Sequence, residues 1–161
     1  MKLTGVFVLV IAVGLALGWL FRDGSAAEAA AMGEPAPDFT VQVITGGTFT
    51  LSESKGRPVV LNFWASWCAP CETEIPAIST FADDNPGVQV IGVAVEDVET
   101  SSREFAARVE ASYPLALGTD EIEESYPRIG LPVTYIIDAD GVVTEVLNGI
   151  VSAELLTDLV G

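Results

Sequence analysis

Two residues in this chain have the chemistry for redox work. Cys68 and Cys71 are the only cysteines among 161 residues, and they stand three apart in Trp67-Cys68-Ala69-Pro70-Cys71. The apolar run from Pro58 to Ala65 precedes them, and a helical pattern opens near Ala69. A strand ending and a helix beginning at this point put the Cys68 sulfur at a helix N-terminus. There the unpaired backbone N–H groups and the helix dipole favour negative charge. The Cys68 thiol therefore ionises more readily than a free cysteine, and the thiolate is the reactive species. Pro70 falls in the first turn, where its missing N–H is not needed.

Such a pair is suited to opening and closing a disulfide. A closed zinc site takes four Cys or His ligands, and this chain has two cysteines and no histidine. Haem attachment requires a histidine after the second cysteine, where Glu72 stands instead. A purely structural disulfide is the remaining alternative, and an open turn beside Trp67 is a poor place for one.

Glu74 is the second candidate. It lies three residues beyond Cys71, as Cys71 lies three beyond Cys68, so the three side chains follow one drifting helical face. A carboxylate beside the second thiol can hold or remove its proton when Cys71 must attack a mixed disulfide. Glu72 points elsewhere on the helix. With no histidine present, titration near neutral pH falls to thiols, perturbed carboxylates or the N-terminal amine. Glu96 and Asp97 follow another apolar run, and loops after strand ends gather at the functional edge of an open sheet. They are read as solvated acids, with tuning of the thiol or partner contact as the alternative. Trp64 belongs to the core, whereas Trp67 flanks the disulfide on a docking surface.

The elements that position these residues can be taken in order. Leu3 to Phe21 is an uncharged stretch of 19 residues behind Lys2, spanning about 28 Å as a helix, close to the bilayer hydrocarbon thickness. Residues 1–23 are read as an N-terminal membrane anchor, because the run is longer than a signal core, with a signal segment cleaved at the small residues Ala27 to Ala31 as the alternative. Either reading sends the domain across the membrane. Residues 24–32 read as an Ala-rich linker and 33–161 as one domain.

Within that domain, residues 40–44 and 48–51 alternate around Thr45-Gly46-Gly47 as a hairpin. An interior strand at 59–65 leads to the cysteines, and a helix carries Ile75, Ile78 and Phe81, with a kink expected at Pro76. A buried strand follows at 88–95, then a helix capped by Thr100 or Ser101, a short strand at 115–117, and an acidic helix capped by Thr119. A second hairpin turns at Ala139-Asp140-Gly141, and Ser152 caps a final helix.

The net charge is −16, from 23 acidic and 7 basic residues. That balance argues against nucleic acid as a partner and against docking on anionic lipid, and it suits a surface working at high salt.

Strand, helix, strand, helix, hairpin and helix describe a sheet covered by helices on both faces. The run Val60 to Cys71, with Gly130-Leu131-Pro132-Val133-Thr134 some sixty residues on, resembles the thioredoxin fold. Glu74-Ile75-Pro76, the added N-terminal hairpin and the insert around residues 96–111 are similar to the membrane-anchored TlpA/ResA/CcmG group. The resemblance implies an α/β thioredoxin-like fold, a central mixed sheet flanked by helices with an added N-terminal β-hairpin. It also implies a cis bond between Leu131 and Pro132, with the Leu131 backbone open to a substrate strand beside the sulfurs. Trp67, Pro70 and Leu131 would then contact substrate, and Cys68, Cys71, Glu74 and Pro132 would form the catalytic set. Thioredoxins proper carry an aspartate where Asn62 stands here, a departure that gives Glu74 more weight.

The implied activity is extracytoplasmic thiol-disulfide exchange on the outer side of the bacterial cytoplasmic membrane. It needs no cofactor beyond the Cys68-Cys71 disulfide. Protein disulfides such as those of apocytochrome c would be the substrates, and a CcdA- or DsbD-type membrane protein the electron donor. A DsbA-like oxidase, or a binding module with a structural disulfide, are the alternatives.

Overall fold

The computed structural model describes residues 29–160. The stretch read as an anchor, and most of the linker, lie outside the described residues. Among those described, no helix is long and apolar enough to cross a membrane.

Seven strands form one mixed sheet in the order β2-β1-β5-β4-β3-β6-β7. They are β1 (Thr40–Val43), β2 (Thr48–Thr50), β3 (Val59–Trp64), β4 (Gln89–Ala94), β5 (Leu115–Leu117), β6 (Val133–Ile137) and β7 (Val143–Asn148). Among the described residues four α-helices accompany them: α1 (Ala69–Asp84), α2 (Glu99–Val109), α3 (Asp120–Ser125) and α4 (Ala153–Val160). The central strands β3, β4 and β5 run parallel, and β6 pairs antiparallel with β3. This is the mixed, helix-flanked sheet that the sequence implied, with the β1–β2 hairpin added at one edge.

The alternation of β3 explains its place at the centre. Val59, Leu61 and Phe63 enter one core with Ile91, Val93, Tyr126 and Tyr135. Val60 and Trp64 enter the other, with Ile75, Ile78 and Phe81 of α1, Phe105 of α2 and Leu156 of α4. A period of two residues delivers both faces, and every β3 residue is buried, as expected of an interior strand. Asn62 is the one polar residue in it.

Three local readings change. The helix capped on paper by Thr100 or Ser101 starts at Glu99, with Val98 as its N-cap and no capping hydrogen bond from that side chain. The carboxylate of Asp97 serves the turn from outside instead, accepting from the Val98 N–H at 2.8 Å and the Ser102 hydroxyl at 2.9 Å. Leu51 leaves the hairpin for a short 3-10 turn over Leu51–Ser54. The end of the supposed linker is packed: Ala30 is buried, and its N–H donates to the Ser125 carbonyl at 2.7 Å. A small side chain fits there against the aromatic core of Phe39, Tyr126 and Tyr135. The helix α1 runs unbroken across Pro76, which lies on its exposed side. Glu72, whose carbonyl Pro76 leaves without its helical donor, is itself an exposed residue.

Candidate active site

Because β3 runs parallel to β4 and β5, its C-terminal end lies on the edge from which the loops after those strands also leave. Cys68 sits four residues past the end of β3, at the N-cap of α1. Its Sγ accepts the Cys71 N–H at 3.2 Å, which is the use of a helix terminus that favours a thiolate. Cys68 and Cys71 form a disulfide. Cys68 is 4% exposed and Cys71 is fully buried, so the only approach from solvent is to Cys68. Ala69 and Pro70 are exposed in the first turn, and Trp67 is 60% exposed with its Nε1 donating to the Glu96 carbonyl at 3.0 Å. Trp64 is instead fully buried and stacked on Phe105, as the sequence implied.

Glu74 is buried one turn beyond Cys71, on the same side of α1. Its Oε1 accepts from Asn62 Nδ2 at 2.8 Å, and its Oε2 accepts from the Val151 N–H at 3.2 Å. Burial pushes the carboxyl up from its ordinary 4.5 to about 7, against the opposing pull of the Asn62 and Val151 hydrogen bonds. A carboxyl in that range exchanges its proton near neutral pH. Asn62 also donates to Thr134 Oγ1 at 3.1 Å on β6, while its Oδ1 is buried without a partner among the described residues. A primary amide offers either a donor or an acceptor depending on which end faces its neighbour. Asn62 presents its Nδ2 donor to Glu74, an arrangement that suits the ionised carboxylate. Neighbouring Tyr113, also buried, is pushed up first by burial and then by the charge of Glu74.

The Leu131-Pro132 bond is cis. Phe63 on β3 faces Val133, which places Pro132 at the same end of β6 as the cysteine turn. Leu131 is partly buried against the cluster that contains Cys68 and Cys71. Glu72 is exposed and 3.6 Å from Arg108, clear of the sulfurs.

Two features escaped the sequence. Asp97 is not simply a solvated acid: besides Val98 and Ser102 it accepts from the Ser66 N–H at 2.6 Å and the Ser66 hydroxyl at 2.9 Å, two residues before Cys68. Burial raises its carboxyl, but the Ser66, Ser102 and Val98 bonds together outweigh that and hold it below the usual range. The serine at 66 followed by an acid after the next strand was the only signal. The second is Arg128, whose side chain is 7% exposed, ion-paired to Glu96 at 3.4 Å and Glu123 at 3.0 Å, and laid over the Phe63 ring. It ties the Trp67 side of the site to the loop that carries Leu131.

The model of the AhpC/TSA family matches residues 32–146. The thioredoxin-like protein YneN of Bacillus subtilis is 34% identical over 148 residues, covering 88% of this chain and 86% of its own. The thiol-disulfide oxidoreductase ResA of Geobacillus kaustophilus is 31% identical over 157 residues, covering 96% and 89%. Among solved structures, a thioredoxin-family thiol:disulfide interchange protein from Chlorobium tepidum superposes with a TM-score of 0.73 at 28% identity, over 82% of this chain and 97% of that one.

Proposed function

We propose, from the premise that the chain belongs to the AhpC/TSA family and is a thioredoxin-fold thiol-disulfide oxidoreductase, that it reduces protein disulfides outside the cytoplasm. The observation that carries this reading is the Cys68 sulfur at the N-cap of α1, backed by a fully buried Cys71.

The cycle balances as two thiol–disulfide exchanges. The Cys68 thiolate attacks one sulfur of a substrate disulfide, forming a Cys68–substrate bond and expelling the other substrate sulfur as a thiolate that takes up a proton. Cys71 then loses its proton to Glu74 and attacks the Cys68 Sγ, expelling the second substrate thiol. Two electrons leave the protein, and the Cys68-Cys71 disulfide remains. Trp67, Pro70 and Leu131 line the approach, and Pro132, just before β6, closes it. A thiol pair on a membrane electron carrier of the CcdA or DsbD type restores the dithiol.

Apocytochrome c is the proposed substrate, because its haem-binding cysteines must be thiols before haem can attach. An outward location on the bacterial cytoplasmic membrane is supported by the uncharged stretch Leu3 to Phe21 behind Lys2. Cys71→Ser removes the resolving sulfur and is expected to accumulate a substrate adduct through Cys68 in cells. An exported Cys71→Ser protein with no adduct on a non-reducing gel would contradict the cycle.

A further inference from the structure

We propose that the surface around the disulfide selects cationic, locally unfolded polypeptides whose cysteines are flanked by apolar residues, an inference that rests on the proposed reductase reading. Of the six large apolar side chains exposed among the described residues, four gather at this end of the sheet: Trp67, Val98, Ile129 and Ile150. They come from four separate loops. Trp67 is tied to the Glu96 carbonyl, which brings the loop of Val98 alongside. The Gly149 N–H donates to the Pro132 carbonyl at 2.9 Å, setting Ile150 beside the loop of Ile129 and Leu131. Isolated exposed apolar residues carry no message, but a group converging on a reactive sulfur marks a contact surface.

Charge sets the sign of what covers it. Residues 96–99 and 120–124 leave the C-terminal ends of β4 and β5 on this edge, and seven of these nine are Asp or Glu while none is Lys or Arg. Two basic side chains lie among them in space: Arg128, whose side chain is 7% exposed and paired with Glu96 and Glu123, and Arg103, paired with Glu99 at 2.8 Å, so the acids still outnumber them. An acidic partner would meet an excess of like charge here, whereas a basic one is steered in. Cys68 is only 4% exposed, so the incoming disulfide must sit on a segment loose enough to present its sulfur between Trp67 and the Leu131 loop.

The test uses two disulfide-linked peptides with identical apolar residues beside the cysteine and either Lys or Glu at the outer positions. Their exchange rates with the reduced protein are compared in low and high salt, with uncharged hydroxyethyl disulfide as reference. The Lys peptide is expected to react faster by about tenfold or more in low salt, and the gap to close as salt screens it. Glu121 and Glu124 are exposed on α3, and Glu121→Lys with Glu124→Lys should shrink the gap severalfold while leaving the rate on hydroxyethyl disulfide unchanged. Equal rates for the two peptides in low salt, or a gap that the double variant leaves intact, would overturn the inference and leave the exchange chemistry standing. No exchange with any of the three disulfides would overturn the reductase reading beneath it.

Discussion

On the proposed cycle, Cys68 and Glu74 solve opposite electrostatic problems with the same helix. The first places a sulfur where α1 exposes its N–H groups, and the second buries a carboxyl where charge is costly. Because burial lifts the Glu74 carboxyl to about 7, the folded protein keeps a proton that the unfolded chain has released. Its contribution to stability is therefore complete below about 4.5 and is lost as the pH rises through 7, a fall on the order of 3 kcal/mol. Urea unfolding of the oxidised protein at pH 5 and pH 8 should show that fall, and Glu74→Gln should lose most of it. Catalysis has the opposite slope, since only ionised Glu74 can take the Cys71 proton. Single-turnover release from the mixed disulfide should speed up between pH 6 and 8 and be slowed about 100-fold by Glu74→Gln. The cysteines, Glu74 and Trp67 could be picked out from residue type and spacing. The partners of Glu74 could not, because Val151 is 77 positions away and only the folded sheet brings it near. Asn62 gave a weaker clue, as an amide inside the otherwise apolar strand at 59–64.

At the scale of elements, the site depends on the β4–α2 turn holding the β3–α1 turn. Asp97 does this through four hydrogen bonds to Ser66, Val98 and Ser102. Asp97→Ala removes them together, and a loss of about 2 kcal/mol is expected in chemical denaturation, with faster reaction of Cys68 toward small alkylating reagents as its turn loosens. The close packing of β5 on β4 gives a second check. A Cβ built on Gly118 would stand 2.3 Å from the Ala94 carbonyl oxygen, a backbone atom that cannot turn aside. Gly118→Ala should therefore cost about 2 kcal/mol or more in the same measurement. The hairpins and most helix caps were readable because they are local: Thr119 and Ser152 cap as their sequence context implied. The start of α2 was not readable, since the acid serving it also answers to Ser66, 31 residues earlier in the chain.

For the whole molecule, charge is the dominant fact. With 23 acidic residues against 7 basic ones, self-repulsion weakens the folded state until salt screens it. The melting temperature should rise by several degrees between low salt and about 1 M sodium chloride; a melting temperature indifferent to salt would count against a surface suited to high salt. The fold class was legible because strand and helix patterns alternate in the order of a known architecture. The gathering of four exposed apolar side chains at one edge was hidden, since it depends on strand order and not on neighbours in sequence. The direction of electron flow is also a property of the assembled site, because it weighs thiolate stabilisation at α1 against burial around Cys71. The reduction potential of the Cys68-Cys71 couple at pH 7, by equilibration with a glutathione or dithiothreitol buffer, tests the reductase assignment most directly. A value toward the reducing end, near about −270 mV, is predicted, whereas one near about −120 mV would identify an oxidant and contradict the account.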